Sequence, residues 1–213
     1  MRIPLGCTFK ACARTEAAFS IRIDLPISYL SVYLLPHIQP DYQGAYKIME
    51  SQLFAQHIRP AQPTEATQLT TLALQSKAYW GYDEAFMLAC RAELTVTAQR
   101  IAAQPTYVLE QGGHIYGFYM LDRDRAPLVE LDFLFVAPQA IGRGYGRRLM
   151  DHAVATALSF GDEILYIQSD PNAEGFYRAC GATVVEYTPS ASIVGRMLPA
   201  LTLTLQANRP KRE

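Results

Sequence analysis

The chain has almost no excess of charge. Nineteen lysines and arginines face 20 aspartates and glutamates, for a formal net charge of −1 over 213 residues. So even a balance lacks the basic field that a nucleic-acid-binding surface needs, and no nucleic-acid partner is expected. The four cysteines, Cys7, Cys12, Cys90 and Cys180, show no CxxC spacing, which argues against a zinc site or a redox pair. No secretory signal opens the chain, so reduced thiols and a cytoplasmic location are expected, with Cys90 and Cys180 on apolar helix faces in the core. Long apolar runs are missing as well. The longest near the N-terminus, residues 25–38, is interrupted by Pro26 and Pro36 and is too short to span a bilayer, so no membrane partner is expected. His37 and His57 have no metal-like partners, and His114 and His152 read as surface residues, so no metal is expected. No internal repeat is apparent.

What is present is a core-forming composition, 50% apolar, and a glycine-rich turn, Ile141-Gly142-Arg143-Gly144-Tyr145-Gly146. Before it, Leu128 to Val136 (LVELDFLFV) reads as a strand, ended by Ala137-Pro138 because proline donates nothing to a ladder. After it, Leu149, Met150, Ala153, Val154, Ala157 and Leu158 recur at helical spacing on one apolar stripe. Glycines remove Cβ atoms where a ligand approaches the backbone, and the first amides of the helix point at that ligand. The turn is therefore an anion cradle suited to a pyrophosphate. A P-loop is excluded because no Lys-Ser or Lys-Thr follows the glycines. A Rossmann turn needs a third glycine where Arg147 or Leu149 stands. Asp170 passes for its ribose-binding acid, but the 67 residues after Gly146 are too few for the remaining sheet.

Val136, Pro138, Gly142, Gly144 and Gly146 match, in order, the V-x-P-x-x-R/Q-G-x-G-x-G/A turn of the GNAT N-acetyltransferase superfamily, which cradles the acetyl-CoA pyrophosphate. Ile141 departs from the usual Arg or Gln, a small departure where backbone amides do most of the cradling. A second block agrees: the apolar strand Ile164 to Gln168 precedes Asp170-Pro171-Asn172-Ala173-Glu174-Gly175-Phe176-Tyr177, then Gly181-Ala182. It resembles the family's N-A-x-x-F-Y-x-x-x-G-F/A helix, with proline and glycine suited to helix entry and exit. The resemblance covers residues 53–205. It implies an α/β fold whose mixed central sheet is splayed between its two central parallel strands, with helices on both faces.

Along the chain, alternation predicts a first strand from Leu53 to Arg59, and Thr64 opens a helix to about Ala78 that carries Leu69, Leu72, Ala73 and Ser76 on one side. Asp83 caps a second helix to about Leu94, and Ala98–Ala103 forms a third. Residues 107–110 and 115–122 flank Gly112-Gly113 as a hairpin, and strands near 183–187 and 198–205 close the sheet. Residues 1–48 show no sustained period, carry Pro4, Pro26, Pro36 and Pro40, and are expected to be a poorly ordered extension or to lie before the native start at Met49. The catalytic domain is expected over 49–207, with a tail at 208–213.

The family resemblance implies that acetyl-CoA is the co-substrate and that an amine, expected to be a small molecule, attacks its thioester directly. The amine must be neutral, so a base must take its proton. Glu130 and Asp132 are the candidates, on one face of the strand, with a solvated carboxylate as the alternative for each and a held water as the alternative base. Tyr177 stands where relatives place a hydroxyl beside the sulfur. Phenol and thiol pKa values of about 10 and about 8.5 make proton delivery feasible, and a core-filling tyrosine is the alternative. The resemblance assigns Leu134, Val136 and the turn from Ile141 and Gly142 through Gly144, Tyr145 and Gly146 to the cofactor, with Arg143 and Arg147 flanking the phosphates or standing as solvated helix-end charges, and with Asn172 bonding pantetheine or capping its helix. It places Trp80 and Tyr82, with Lys77 and Asp83, in the acceptor cleft, and Arg196, with Ser190 and Ser192, on its rim; Trp80 has a core-residue alternative. A protein N-terminus or lysine is the alternative acceptor, and a catalytically silent acyl-CoA-binding module is the rival from another class. Oligomeric state is open, a homodimer included. A chain beginning at Met49 should fold and bind acetyl-CoA like the full chain; insolubility, or melting several degrees lower, would make residues 1–48 part of the fold.

Overall fold

The computed structural model describes residues 56–205 of the chain. The expectations for residues 1–48 and for the C-terminal tail, and those for Cys7, Cys12 and His37, lie outside the described residues. Seven strands form one sheet in the order β1-β2-β3-β4-β5-β7-β6: β1 His57–Pro60, β2 Thr106–Gln111, β3 His114–Asp122, β4 Leu128–Val136, β5 Ile164–Gln168, β6 Thr183–Pro189 and β7 Met197–Thr204. Every neighbouring pair is antiparallel except β4 and β5. Helices α1 Ala66–Ala78, α2 Glu84–Ala89 and α3 Ala98–Ala103 come before β2, α4 Tyr145–Ser159 lies between β4 and β5, and α5 Glu174–Ala179 follows β5.

Alternation along β3 splits the core into two. Phe118 and Met120 join Leu69, Leu72 and Ala73 of α1 and Ile101 of α3, whereas Tyr119 and Leu121 join Leu149, Met150, Ala153 and Ala157 of α4. The helical stripe read from the sequence is thus the buried face of α4, and helices cover both faces of a mixed sheet as expected. Gly112 and Gly113, both at positive φ, turn β2 into β3.

Two features of β4 matter for the site. Its ladder with β3 pairs Leu131 with Leu121 and Phe133 with Met120, so Asp132 is an inserted residue. The insertion changes which face the side chains meet: Val129 and Leu131 pack with α4, but Phe133 packs with α1. The parallel ladder to β5 covers only Leu128–Glu130 against Ile164–Tyr166, although both strands run on. Beyond Glu130 the two central strands part.

Three expectations need correction. The first strand is His57–Pro60; Leu53–Ala55 fall outside the described residues. The second helix is capped by Asp83, whose carboxylate accepts the Phe86 amide, but stops at Ala89 rather than near Leu94. Tertiary docking ends it: the Thr70 hydroxyl of α1, which donates to the Ala66 carbonyl at 2.9 Å, accepts the Val96 amide at 3.0 Å, while Leu94 and Val96 enter the core. His152 is half-buried, not a surface residue. Its Nδ1 lies 2.7 Å from the Tyr119 hydroxyl, which also meets Thr156 Oγ1 at 2.9 Å, and burial lowers the imidazole pKa and favours its neutral form. A polar residue is tolerated on that side of α4 because β3 presents a buried hydroxyl to it. His114 is exposed, Cys90 is buried and Cys180 partly so. Among the described residues no helix is long and apolar enough to cross a membrane.

Gly117 of β3 marks the tightest packing of sheet on helix. A Cβ there would stand 2.8 Å from both the Phe135 carbonyl oxygen and Leu149 Cδ1. The carbonyl belongs to the neighbouring backbone and cannot swing away, so Gly117→Ala should lower stability by about 1–3 kcal/mol, read as an earlier urea midpoint at unchanged m-value. An unchanged midpoint would show that β3 and α4 can separate at no cost.

Candidate active site

The parting of β4 and β5 opens a cavity of about 620 Å³, walled by β4 from Glu130 to Val136, the glycine turn, the β5–α5 connection and the end of α1. Its floor is main chain: beyond Glu130, β4 pairs only with β3, so its other edge faces the opening. Leu134 and Val136, assigned to the cofactor, are partly buried and line this wall.

At one end lies the glycine turn. A short 3-10 turn, Pro138–Ala140, ends at Ile141, and α4 starts from Gly144, whose φ of +81° places it in the left-handed region. Gly142 shares that conformation, with φ of +76°. Among the described residues the amides of Gly142, Gly144, Gly146 and Arg147 donate to no protein acceptor, and the dipole of a 15-residue helix stands behind them. Ile141 lines the cavity as a half-buried apolar residue. The Tyr145 ring is buried, and its hydroxyl donates to Gln111 at 2.6 Å and accepts from Gln56 at 2.9 Å; only its backbone belongs to the turn. Arg147 lines the cavity and pairs with Asp151 at 2.9 Å, while Arg143 is exposed, its guanidinium 5.9 Å from the Tyr145 ring. The free amides, unobstructed glycines and adjoining arginine fit a pyrophosphate and the arm of a coenzyme thioester.

Glu130 and Asp132 both line the middle of the cavity, each held by an arginine. Arg125 reaches Glu130 at 2.8 Å, and Arg100, stacked 5.0 Å over the Phe133 ring, pairs with Asp132. Burial and then the charge of Asp132 raise the Glu130 carboxyl above its ordinary pKa, against the pull of Arg125. Burial likewise raises Asp132 against Arg100. Tyr177 of α5 is buried and lines the same cavity, and burial raises its phenol well above the ordinary value, so it stays protonated.

At the far end Asp170 is a hub that the sequence reading missed. Its carboxylate accepts from Lys77 Nζ at 2.5 Å, the Tyr82 hydroxyl at 2.9 Å, Arg196 Nη2 at 3.0 Å and the Asn172 amide at 2.9 Å. Burial opposes its ionisation, but the Lys77 ammonium, the Asn172 amide and the Tyr82 hydroxyl together outweigh this and hold the carboxyl below the usual range. Asp170, not the Asn172 side chain, caps the turn into α5; the Asn172 side chain donates to the Tyr82 hydroxyl at 2.9 Å. The Asp-Pro-Asn string at a helix entry was the available signal. Tyr82 stacks on Phe86 at 4.0 Å and Arg196 packs over both rings. Trp80 is 42% exposed on the cavity wall, so it is not a core residue. Glu93, also missed, lines the cavity and accepts from Ser192. Among the described residues no group of three or more His, Cys, Asp or Glu side chains is arranged to hold a metal.

A sheet split between parallel strands, with a glycine cradle at one end and a buried tyrosine and carboxylates along the gap, is a layout suited to an acyl-CoA-dependent transferase. A family profile described as "Acetyltransferase (GNAT) family" matches residues 70–182. The chain belongs to this family and is an N-acetyltransferase. It is 30% identical over 128 residues to a 5-NmdU N-acetyltransferase of Pseudomonas phage PaMx11, an alignment covering 60% of this chain and 86% of that protein. In fold it is similar to a GCN5-related N-acetyltransferase from Rhodopseudomonas palustris, with a TM-score of 0.59 and 24% identity over 71% of this chain and 96% of the other. It is also similar to the PaiA N-acetyltransferase from Thermoplasma acidophilum in complex with coenzyme A, with a TM-score of 0.57 and 16% identity over 70% and 99%.

Gly144→Glu should weaken acetyl-CoA binding by at least about 100-fold, near 2.7 kcal/mol, because it sets a carboxylate among the amides that face the phosphates. Gly144→Asn tolerates the left-handed backbone and adds no charge, so calorimetry on both variants separates strain from repulsion. Unchanged affinity in Gly144→Glu would remove the cradle from the binding site.

Proposed function

We propose that the chain transfers the acetyl group of acetyl-CoA to the primary amine of a small molecule by direct attack on the thioester. The observation that carries this reading is the co-location of the free amides of the turn, the open edge of β4, Glu130 and Tyr177 on one cavity. The pyrophosphate sits on the amides of the Gly142–Arg147 turn, with Arg147 alongside, and the pantetheine arm lies in the gap and pairs with the edge around Leu134 and Val136.

Glu130 is the base. Its raised pKa brings it closer to neutrality than an ordinary carboxylate, which suits it to take a proton from an ammonium directly or through one water. Its arginine partner is exposed and easily displaced, whereas Arg100 is packed against Phe133 and holds Asp132 in place. The neutral amine attacks the carbonyl carbon, the N–C bond forms and the C–S bond breaks. The departing thiolate takes a proton from the Tyr177 hydroxyl, which recovers one from solvent. Glu130 releases its proton to water, and the nitrogen sheds a second proton to solvent as the amide forms, which balances the one Tyr177 recovers, so the products are the amide, the free thiol and one proton. A small acceptor suits a cavity of about 620 Å³ that has Lys77 and Asp170 on its wall. The amine site lies between those two residues and Glu130, with Trp80 on its wall. The catalytic unit is residues 49–207, which contain every residue named in this site.

Release of free CoA with a panel of small amines tests the transfer itself; no turnover with any amine, at intact acetyl-CoA binding, would leave only a binding module. Tyr177→Phe keeps the packed ring and removes the donor, so kcat should fall about 10²–10⁴-fold with little change in acetyl-CoA affinity. An unaltered rate where chemistry limits would return Tyr177 to the core.

A further inference from the structure

Lys77 and Arg196 converge on one carboxylate. Asp170 Oδ2 accepts from Lys77 Nζ at 2.5 Å and from Arg196 Nη2 at 3.0 Å, so the group carries two positive charges and one negative. Neither cation is loosely held: the Lys77 and Arg196 side chains are 14% and 16% exposed, and both sit near the stacked Tyr82 and Phe86 rings. Arg196 bonds Asp170 and the Tyr82 hydroxyl through the same nitrogen, which anchors the Asp170 carboxylate from the side away from the cavity lining. Lys77 is on the cavity wall. An ammonium has three donors, and Asp170 is the one hydrogen-bond acceptor it meets among the described residues. Asp170 has no capacity left for it, since the Tyr82 hydroxyl and the Asn172 amide occupy its other oxygen. A half-buried surplus cation with spare donors is costly unless an anion meets it.

Acidic groups stand elsewhere on the same wall. Glu130, Asp132 and Glu93 line the same cavity, and Trp80 offers an apolar surface between. We infer that the acceptor is an amine that also carries an anionic oxygen group, a carboxylate or a phosphate type, and that Lys77, positioned by Asp170 and Arg196, takes that group and sets acceptor specificity. The acidic residues draw the ammonium end, Lys77 takes the anion, and Trp80 covers the hydrocarbon between them. This rests on the proposed amine-acceptor role of the cavity and adds the second functional group of the acceptor.

Trp80 is the chain's sole tryptophan, so its emission reports binding at this wall without any turnover. The full chain, saturated with CoA, is titrated with N-acetyl-γ-aminobutyrate, with its uncharged carboxamide and with the corresponding phosphonate. One of the two anions should bind at least about tenfold tighter than the carboxamide, and which one does so distinguishes a carboxylate from a phosphate-type acceptor. Lys77→Met should abolish that preference, and Lys77→Arg, which keeps the charge, should retain part of it. Because a Lys77 variant can lose its fold by stranding Asp170, salt dependence of the unaltered chain is read in parallel: 0.5 M salt, a concentration that shortens the screening length to only a few ångströms, should weaken the anion and not the carboxamide. Equal affinities for anion and carboxamide in the unaltered chain overturn the inference, as does an anion preference that survives in folded Lys77→Met. Failure of every amine to release CoA would overturn the transferase reading instead, while the titration still decides the anion site.

Discussion

The site depends on where the β4–β5 ladder stops. Three residue pairs hold the two parallel strands together, and from Leu131 onward they separate. A closed ladder would bury every amide of β4 in sheet pairing and leave no opening in the middle of the domain. The inserted Asp132 lies at the point of parting, where an extra residue bends a strand and increases its twist. The same insertion turns Phe133 toward α1 and leaves Leu134 and Val136 on the side of α4. The edge that meets the coenzyme arm and the carboxylates that meet the amine are thus products of one irregularity.

An open sheet needs other bonds across the gap, and Asp170 supplies them. It sits just after β5 and joins α1 through Lys77, the α1–α2 connection through Tyr82, and the β6–β7 connection through Arg196. Three separate stretches of the sequence, around residues 77–82, 170 and 196, meet on one half-buried carboxylate at the far wall of the cavity. Anchorage there matters because productive attack on a thioester requires the amine to be held in line with the carbonyl carbon. The Asp170 carboxylate also accepts the Asn172 amide at the entry to α5, so the acceptor wall and the element bearing Tyr177 share one anchor.

Much of this was legible along the chain. The spans of β4, α3 and β5 coincide with those read along the chain, and the helical stripe is the buried face of α4, because a segment that buries one face takes its period from that burial. The glycine turn was equally readable, since positive φ and free amides are local properties of Gly142 and Gly144. The second helix was overextended because Thr70, 26 residues away, captures Val96 and bends the chain, and no local period registers that bond. His152 was misread for the same reason: its partner, Tyr119, lies on a different element. Asp170 was visible as a residue but not as a hub, because Lys77, Tyr82 and Arg196 come from two other stretches of the sequence.

The sequence by itself determined the periods, the caps and the cradle: alternation and helical spacing fix which face is buried, and glycine at 142 and 144 fixes the backbone that exposes amides to an anion. Tertiary structure alone decided the separation of β4 from β5, the pairing of Glu130 and Asp132 with Arg125 and Arg100, and the convergence of two cations on Asp170. The physical reason is range. Backbone conformation and hydrophobic period are set by neighbours within a turn or two of chain, whereas charge pairing and strand parting depend on distances between segments that only the folded sheet brings together.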